Sequence, residues 1–351
     1  MSVYALWNNK GGVGKSYLTF QLSCEYARVH PQKKVLVIDL CPQANSSGML
    51  LGGMIDGELH LDELSNHSPR KTISGYIEDR IKSPYVDPHS GSNYLIRPNT
   101  YNNQIPDNLY LITGDEQLEV QGSRVSGATN PGPTDAWRIV HTWISDLISD
   151  IKMHLNYSEL VIFIDCNPSF SIYTELAMSA SDRIIIPFSA DGSSKRAVKA
   201  VLALLYGITR YPGSQQSEYF LNSGRWRLQV PEIYCYIGNR LTQYIRSATA
   251  FKTVVSEIGE EIWSVWQSNK NLFCIHPSGA SIPNNRTFFK KMFQFEVVDA
   301  NTASVVSSAL GIPINKLTAG PKTIAGKEVI VNQSQLDKQQ PNIEELIDMI
   351  E

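Results

Sequence analysis

Short apolar runs recur along the chain, and segments with helical periodicity separate them. Unbroken runs of this kind are typical of strands that are buried on both faces of a sheet. Strands that alternate with helices predict an α/β fold with a doubly wound, mostly parallel sheet flanked by helices. The predicted strands cover residues 3–7, 33–40, 159–165, 183–189 and 232–239, and the predicted helices cover residues 16–28, 135–155, 171–181, 194–210 and 247–258.

Two parts of the chain lack this regular alternation. Residues 52–134 are polar and rich in Pro, Gly, Asn and Ser, and within them only DNLYLITGD (107–115) predicts a local strand. After Ile282, IAGKEVIVN predicts a short strand or hairpin, and PNIEELIDMI predicts a closing helix. We therefore expect a single domain over residues 1–351, with an insertion at about 52–134 and a less regular tail from about 291.

Composition excludes several classes of protein. No apolar run approaches the length of a membrane span, and the first residues do not resemble a signal peptide. The five cysteines include no CxxC pair, which argues against a zinc site or a disulfide framework and favours a reducing cytoplasm. Because the net charge is only -3, nucleic-acid binding would need a local basic patch.

A glycine-rich loop, NNKGGVGKSY at residues 8–17, lies between the first predicted strand and the first predicted helix. The backbone N–H groups of such a loop, with the helix N-terminus behind it, bind phosphate. Lys15 is placed to reach the β- and γ-phosphates, and the Ser16 hydroxyl is placed to bind Mg²⁺. The loop departs from G-x-x-x-x-G-K-[ST] because Asn9 occupies the first glycine position, and it holds a second lysine, Lys10.

The pattern K-G-G-x-G-K-[ST] at Lys10–Ser16 resembles the deviant Walker A motif of ParA/MinD-type P-loop ATPases, and it is closest to the ParA/Soj partition ATPases. The resemblance covers most of residues 3–290 and implies the P-loop NTPase fold, with ATP and Mg²⁺ as cofactors. The other segments that resemble this family, in the same order, are VLVIDLCPQANSS (35–47), IPDNLYLITGD (105–115), VIFIDCNPSFS (161–171), DRIIIPFSAD (182–191) and IGNRLTQYIRSATAFKTVVSEIG (237–259).

The resemblance implies roles for individual residues of the loop. Lys10 would cross into a second subunit and contact its nucleotide, so that an ATP-dependent homodimer forms. One lysine plus Mg²⁺ leaves ATP under-neutralised, and a second cation supplied in trans would make dimerisation depend on the γ-phosphate. The residues implied to bind the nucleotide are Gly11, Gly12, Val13, Gly14, Lys15, Ser16 and Tyr17, together with Asn239, which would read the adenine edge.

Two acidic residues end apolar strands, Asp39 and Asp165. Ligands of doubly wound sheets bind at the carboxyl ends of the strands, so we expect both carboxylates to face the nucleotide. With Ser16 they are the predicted Mg²⁺ site, in which Asp165 fits the Walker B position and Asp39 begins the switch segment. A structural cap at the end of a strand is the alternative for both.

Position 41 departs from the family, which has an aspartate where this chain has Cys41. A thiol at its ordinary pKa is mostly protonated at pH 7 and orients an attacking water poorly. By the usual scale for general bases, its loss costs about 10²-fold or more in hydrolysis. We therefore expect slow hydrolysis, with Lys10, Lys15 and Asp39 as the other catalytic candidates. The alternative is that Asn45, or a residue of 52–134, orients the water.

The basic residues late in the chain are candidate contacts to non-specific DNA. Arg225 and Arg227 flank Trp226, an arrangement that suits backbone contacts, although a charge run is also typical of a solvated face. The C-terminal segment NIEELIDMIE is acidic, which disfavours binding to a membrane. The complete set of DNA candidates is Arg225, Arg227, Arg246, Lys252, Lys290 and Lys291.

Two functions follow from this sequence. The first is an ATP-dependent switch that dimerises and partitions or positions DNA or other cargo, with a ParB-like or adaptor protein as partner, in the bacterial cytoplasm or on the nucleoid. The second is an ATP-gated protein-interaction module with little or no hydrolysis. The late basic segment favours the first function, and Cys41 favours the second.

Overall fold

The computed structural model describes residues 1–156, 159–189, 191–209, 213–241 and 245–351, without the side chains of 240, 241 and 245–251. Its strands are β1 (Ser2–Leu6), β2 (Lys34–Leu40), β3 (Leu109–Ile112), β4 (Leu160–Cys166), β5 (Arg183–Phe188), β6 (Glu232–Leu241), β7 (Gln294–Val298), β8 (Gly320–Ile324) and β9 (Lys327–Val331). The first seven form one parallel sheet in the order β3-β2-β4-β1-β5-β6-β7. This sheet confirms the predicted doubly wound α/β fold.

Helices cover both faces of the sheet. In chain order they are α1 (Lys15–Val29), α2 (Asn45–Leu50), α3 (Asp56–Asn66), α4 (Ile73–Lys82), α5 (Leu118–Gly127), α6 (Ala136–His141), α7 (Trp143–Leu155), α8 (Ile172–Ala180), α9 (Ser194–Tyr206), α10 (Glu218–Trp226), α11 (Ile245–Ser268), α12 (Arg286–Phe293), α13 (Thr302–Leu310) and α14 (Gln333–Met349). One apolar cluster joins the sheet to α1–α3, α13 and α14, and a second joins its other face to α4–α12. The central strands read as unbroken apolar runs because they are buried on both sides.

The order of the strands creates a crevice at the carboxyl ends of the central strands. The chain leaves β1 through α1 toward β2 on one side, and it leaves β4 through α8 toward β5 on the other. Such a point, outside the carboxyl ends of the strands, is where open α/β sheets bind ligands. The glycine-rich loop after β1 lies at this crevice.

The segment 52–134 contains more structure than its sequence indicates. The predicted local strand is present as β3, which extends the main sheet as a parallel neighbour of β2. The helices α3, α4 and α5 lie in the same segment and were not predicted. Each of these helices is only 10 or 11 residues long. Each contains few apolar residues, and these are interspersed with Gly, Ser or Asp, so the helical periodicity is difficult to recognise in the sequence.

The tail is also more regular than predicted. QFEVV forms β7, an edge strand that pairs in parallel with β6, and β8 and β9 form the predicted hairpin. The closing helix α14 begins at Gln333, before the predicted start, and contains Pro341. Because α14 packs against α1 and β7, the tail becomes part of the wall next to the glycine-rich loop.

Candidate nucleotide-binding site

The glycine-rich loop leads directly from β1 into α1. Gly12 and Gly14 have φ angles of 73° and 83°, in the left-handed region where other residues are strained. Gly14 is the N-cap of α1 and has no side chain to bond the first N–H groups of the helix. These groups lack carbonyl partners within the helix, so the loop and the helix N-terminus form a cradle for an anion.

Buried amide side chains fix this loop to the sheet. Asn8 Nδ2 donates to the carbonyl of Pro187 at 2.7 Å, and Asn239 Nδ2 donates to the carbonyl of Val13 at 2.9 Å. Asn239 is 1% exposed, so in this structure its side chain supports the loop from β6. Its contact with adenine stays a prediction.

A cavity of about 810 Å³ opens in front of the loop. Gly11, Gly12, Gly14, Ser16 and Tyr17 line it, together with Lys15. Lys15 is 6% exposed, and its Nζ donates to the carbonyl of Lys10 at 3.2 Å. Burial lowers the pKa of Lys15, and the negative charge of Asp165 opposes that shift. The ammonium group is therefore held at the phosphate end of the cavity.

The two acids at the strand ends are neighbours in the sheet but differ in their partners. Asp39 pairs in register with Asp165, and both are fully buried. Asp39 accepts hydrogen bonds from Cys41 N (3.0 Å), Ser46 Oγ (2.8 Å), Ser47 N (3.1 Å) and Ser47 Oγ (2.7 Å). Neither carboxylate oxygen of Asp165 has a hydrogen-bond partner in the described part of the chain.

This difference separates the roles of the two carboxylates. Burial, followed by repulsion from Asp39, raises the pKa of Asp165 to about 7, while the nearby hydroxyls of Ser16 and Ser46 and the charge of Lys15 oppose the shift. A buried carboxylate without a partner, beside a hydroxyl, fits a hard divalent cation such as Mg²⁺. The carboxylate of Asp39 is engaged by residues 41–47, which favours the structural alternative for this residue. Its role in metal binding stays a prediction.

Cys41 and Asn45 both line the phosphate end of the cavity. Cys41 is 4% exposed, and burial, with the charges of Asp39 and Asp165, raises the pKa of its thiol to about 12. The thiol is therefore neutral at pH 7 and does not act as a base. Asn45 is the first residue of α2, and its Nδ2 donates to Gln43 Oε1 at 3.2 Å. Gln43 also lines the cavity and was missed, although it lies in the same switch segment.

Lys10 makes its contacts within its own chain. Its Nζ donates to the carboxylate of Asp191, to Ser189 Oγ at 3.0 Å and to Ser194 Oγ at 3.4 Å. These partners follow β5 and were not predicted. Asp191 is about half exposed, and an exposed ion pair contributes about 1 kcal/mol or less, so this pair can be exchanged for a stronger one. The contact of Lys10 with a second subunit stays a prediction.

The opposite end of the cavity is built by the tail. Asp299 follows β7, and its Oδ1 accepts the N–H of Asn301 at 2.8 Å just before α13 begins. This wall was not predicted because its residues lie in the tail, where the sequence shows no clear helical or strand periodicity. The residues of the tail that line the cavity are Asp299, Asn301, Ser304, Val305, Ser308 and Ala309.

The predicted DNA-binding residues lie on or next to α10, α11 and α12, and their contact with DNA stays a prediction. Arg225 and Arg227 lie at the end of α10, before β6 begins, whereas Lys252 lies in α11, after β6 ends. Arg246 also lies in α11, but its side chain is outside the described residues. Lys290 and Lys291 lie on α12, which packs against α11, β6 and β7.

A protein-family model described as an AAA domain matches residues 1–212, more than half of the chain. The chain belongs to this family. As an AAA-domain protein, it carries its phosphate loop and both acidic strand ends within the matched region, which confirms the identification as a ParA/MinD-type P-loop ATPase. Among the described residues, no helix of this AAA-domain protein is both long and apolar enough to span a bilayer.

Solved structures share the fold of this AAA-domain protein. Apo McdA from Cyanothece matches with a TM-score of 0.57 and 16% identity over 98% of both chains. An ATP complex of a Cyanothece McdA variant matches with a TM-score of 0.58 and 16% identity, over 100% of this chain and 98% of that chain. ParA of pNOB8 matches with a TM-score of 0.50 and 14% identity over 84% of each chain. These similarities confirm the P-loop NTPase fold.

The curated relatives carry no assigned activity. An uncharacterized protein of Pseudomonas putida is 29% identical over 192 residues, which are 54% of this chain and 56% of that protein. The AAA-domain protein therefore spans about half the length of the curated relatives it matches.

Proposed function

We propose that this chain is an ATP-binding molecular switch that forms an ATP-sandwich homodimer and positions DNA or another cargo, with slow ATP hydrolysis. The observation that carries this proposal is the buried carboxylate of Asp165, which lacks a partner among the described residues beside the Ser16 hydroxyl. Such a group is costly unless a cation completes it. Lys15 and Ser16, which line the cavity, interact with this carboxylate, so the chemistry fits Mg-ATP.

Each part of the site has a separate task in this proposal. The N–H groups of the loop and Lys15 would bind the phosphates, and Ser16 and Asp165 would hold Mg²⁺. When bound, Mg²⁺ neutralises charge on the β- and γ-phosphates. The Cys41 thiol is neutral and cannot activate a water, which leaves Asn45, Gln43 or Glu58 of the segment 52–134 to orient it, since all three line the cavity. The site therefore has every group needed to bind Mg-ATP, but it lacks a carboxylate to activate the water, so hydrolysis is slow.

Dimerisation depends on Lys10. In the single chain its ammonium is neutralised by Asp191. The triphosphate of a second subunit offers more negative charge than this one exposed carboxylate, so Lys10 exchanges partners when ATP is bound there. Loss of the γ-phosphate weakens the attraction. An adaptor protein or DNA in the cytoplasm would then bind the dimer, which forms only in the ATP-bound state.

The second candidate is an ATP-gated protein-interaction module, and the charge distribution on α9, α11 and α12 favours it. Basic side chains there are paired with acidic ones across the helices, which lowers the positive charge available for phosphate. The pairs are Lys195 with Glu257 at 3.0 Å, Lys199 with Glu261 at 3.0 Å and Arg286 with Glu260 at 3.2 Å.

Analytical ultracentrifugation with Mg-ATP, Mg-ADP or no nucleotide tests the proposal. We expect a dimer only with ATP, and we expect Lys10→Ala to bind ATP yet stay monomeric. Asp191→Asn is the matched variant, because it removes the competing partner of Lys10 and should strengthen the dimer. An identical oligomer in all three nucleotide states would refute the switch. Gel shifts at low salt then separate the two candidates, since only the first requires DNA binding.

A further inference from the structure

A stripe of buried polar residues runs along α1 on the face that meets the tail. Tyr17, Gln21 and Glu25 are spaced four residues apart and therefore share one side of the helix. Their exposures are 4%, 1% and 2%. Each makes a hydrogen bond to the tail, and the partners are, in the same order, Gln339 on α14, Ser307 on α13 and Asn315 after α13.

Gln339 connects the loop helix to the distant end of the nucleotide cavity. Its Oε1 accepts the Tyr17 hydroxyl, while its Nε2 donates to the carbonyl of Val298 at 2.9 Å and to Ser304 Oγ at 3.4 Å. The side chain is 1% exposed. Val298 and Ser304 stand on either side of the turn that carries Asp299 into the cavity. One amide group therefore spans the distance between the phosphate loop and that turn.

A second side chain of α14 holds the same point of the sheet. Asn342 Oδ1 accepts the N–H of Val298 at 3.1 Å, so both backbone groups of Val298 are bonded by α14. Val298 ends β7, an edge strand, and its outward N–H and C=O have no neighbouring strand to pair with. Asn342 and Gln339 are three residues apart and lie on one face of the helix. α14 thus replaces a missing strand at this position.

We propose that Gln339 is a positioning residue for nucleotide binding, which sets the separation between the phosphate loop and the wall formed by Asp299–Ser308. A nucleotide reaches both ends of the cavity only if that separation fits, since contacts made by one ligand at two places are lost when either place moves. This inference rests on the proposed function, because it requires a nucleotide in this cavity.

Calorimetric titration with Mg-ATP and with inorganic tripolyphosphate separates the two ends of the cavity. Tripolyphosphate reaches only the loop, whereas ATP also reaches the wall. Gln339→Leu keeps the side-chain volume but removes both hydrogen-bonding groups, leaving the Tyr17 hydroxyl and the Val298 carbonyl without this partner. We expect its ATP affinity to fall about tenfold or more, while its tripolyphosphate affinity changes by less than about twofold.

Tyr234→Phe is the matched control. The Tyr234 hydroxyl donates to the carbonyl of Met349 at the other end of α14, far from the wall, so its removal should leave both affinities unchanged. Tyr17→Phe removes only the hydroxyl that Gln339 accepts, and it should reproduce the selective loss at a smaller magnitude. It also serves as the test if Gln339→Leu does not fold.

The outcomes distinguish this inference from the proposed function. Equal losses for ATP and tripolyphosphate, or no loss of either, in a folded Gln339→Leu protein would overturn the positioning role while leaving ATP binding intact in the wild type. Failure of the wild type to bind Mg-ATP would overturn both. Lys15→Ala should lose both ligands, which verifies that the titrations report on this cavity.

Discussion

The unpartnered carboxylate of Asp165 leads to an unusual expectation, namely that Asp165→Asn stabilises the metal-free protein. In the wild type the charged carboxylate is buried between strands beside a second buried acid. Burial and the charge of Asp39 raise its pKa to about 7, so at high pH the charged form costs on the order of a few kcal/mol. Asparagine has nearly the same shape and carries no charge to bury.

The direction of the pKa shift of Asp165 determines the pH range over which Asp165→Asn is more stable than the wild type. Because the pKa of Asp165 is raised on folding, the carboxyl contributes full stability below about pH 4, and this contribution is lost as pH rises through about 7. The difference between variant and wild type should therefore be small near pH 4, grow toward pH 7 and stay constant above it. At about pH 8 the free energy of unfolding of the variant should exceed that of the wild type by on the order of a few kcal/mol.

Chemical denaturation in a chelating buffer, repeated at several pH values, measures this difference. Asp39→Asn is the control, because Asp39 accepts four hydrogen bonds and an amide nitrogen would face donors. Burial raises the pKa of Asp39 as well, so this variant loses hydrogen bonds but also loses a buried charge, and it should be less stable than Asp165→Asn at every pH. At about pH 8, Mg²⁺ with ATP should stabilise the wild type and have little effect on Asp165→Asn. The reasoning fails if Asp165→Asn is less stable than the wild type at about pH 8.

The remaining predictions concern nucleotide and DNA. Lys15→Ala should lose ATP binding by about 100-fold or more in a titration, and unchanged affinity in a folded variant would reject the phosphate-loop assignment. Cys41→Asp should raise single-turnover hydrolysis about tenfold, a barrier change of about 1.4 kcal/mol, and a wild type that is equally fast would point to Asn45. The pair Arg225→Glu and Arg227→Glu should abolish any ATP-promoted gel shift without affecting dimerisation, and an unaltered shift would move the DNA contact elsewhere.

The sequence is most informative where a strand is buried on both faces. β2, β4, β5 and β6 appear as unbroken apolar runs, and the loop between β1 and α1 is identified by its glycines and lysines. β7 was missed because it is a short edge strand in which buried and exposed residues alternate. Its sequence therefore lacks the unbroken apolar run by which the central strands were predicted. The helix α13 was missed for a related reason, since Ser and Thr occupy much of it.

The candidate site was predictable at its phosphate end and not at its other end. The loop and the acids at the strand ends follow from local patterns, because each lies where a strand stops. The contact between Lys10 and Asp191, and the link from Tyr17 to Gln339, join residues that are 181 and 322 positions apart. Hydrogen bonds between distant loops and helices leave no periodic signal, so only the folded arrangement reveals them.

The link between Tyr17 and Gln339 also has a consequence for the synthesis of the protein. A ribosome adding about 5–20 residues per second needs roughly 15–60 s to make the 322 residues that separate them. Throughout that interval α1 has emerged, while the tail that covers its polar stripe has not. The phosphate loop can therefore exist on the nascent chain well before the nucleotide cavity does. A chain released before the tail is made would lack the wall of the tail and would leave the polar stripe of α1 without its hydrogen-bond partners on α13 and α14.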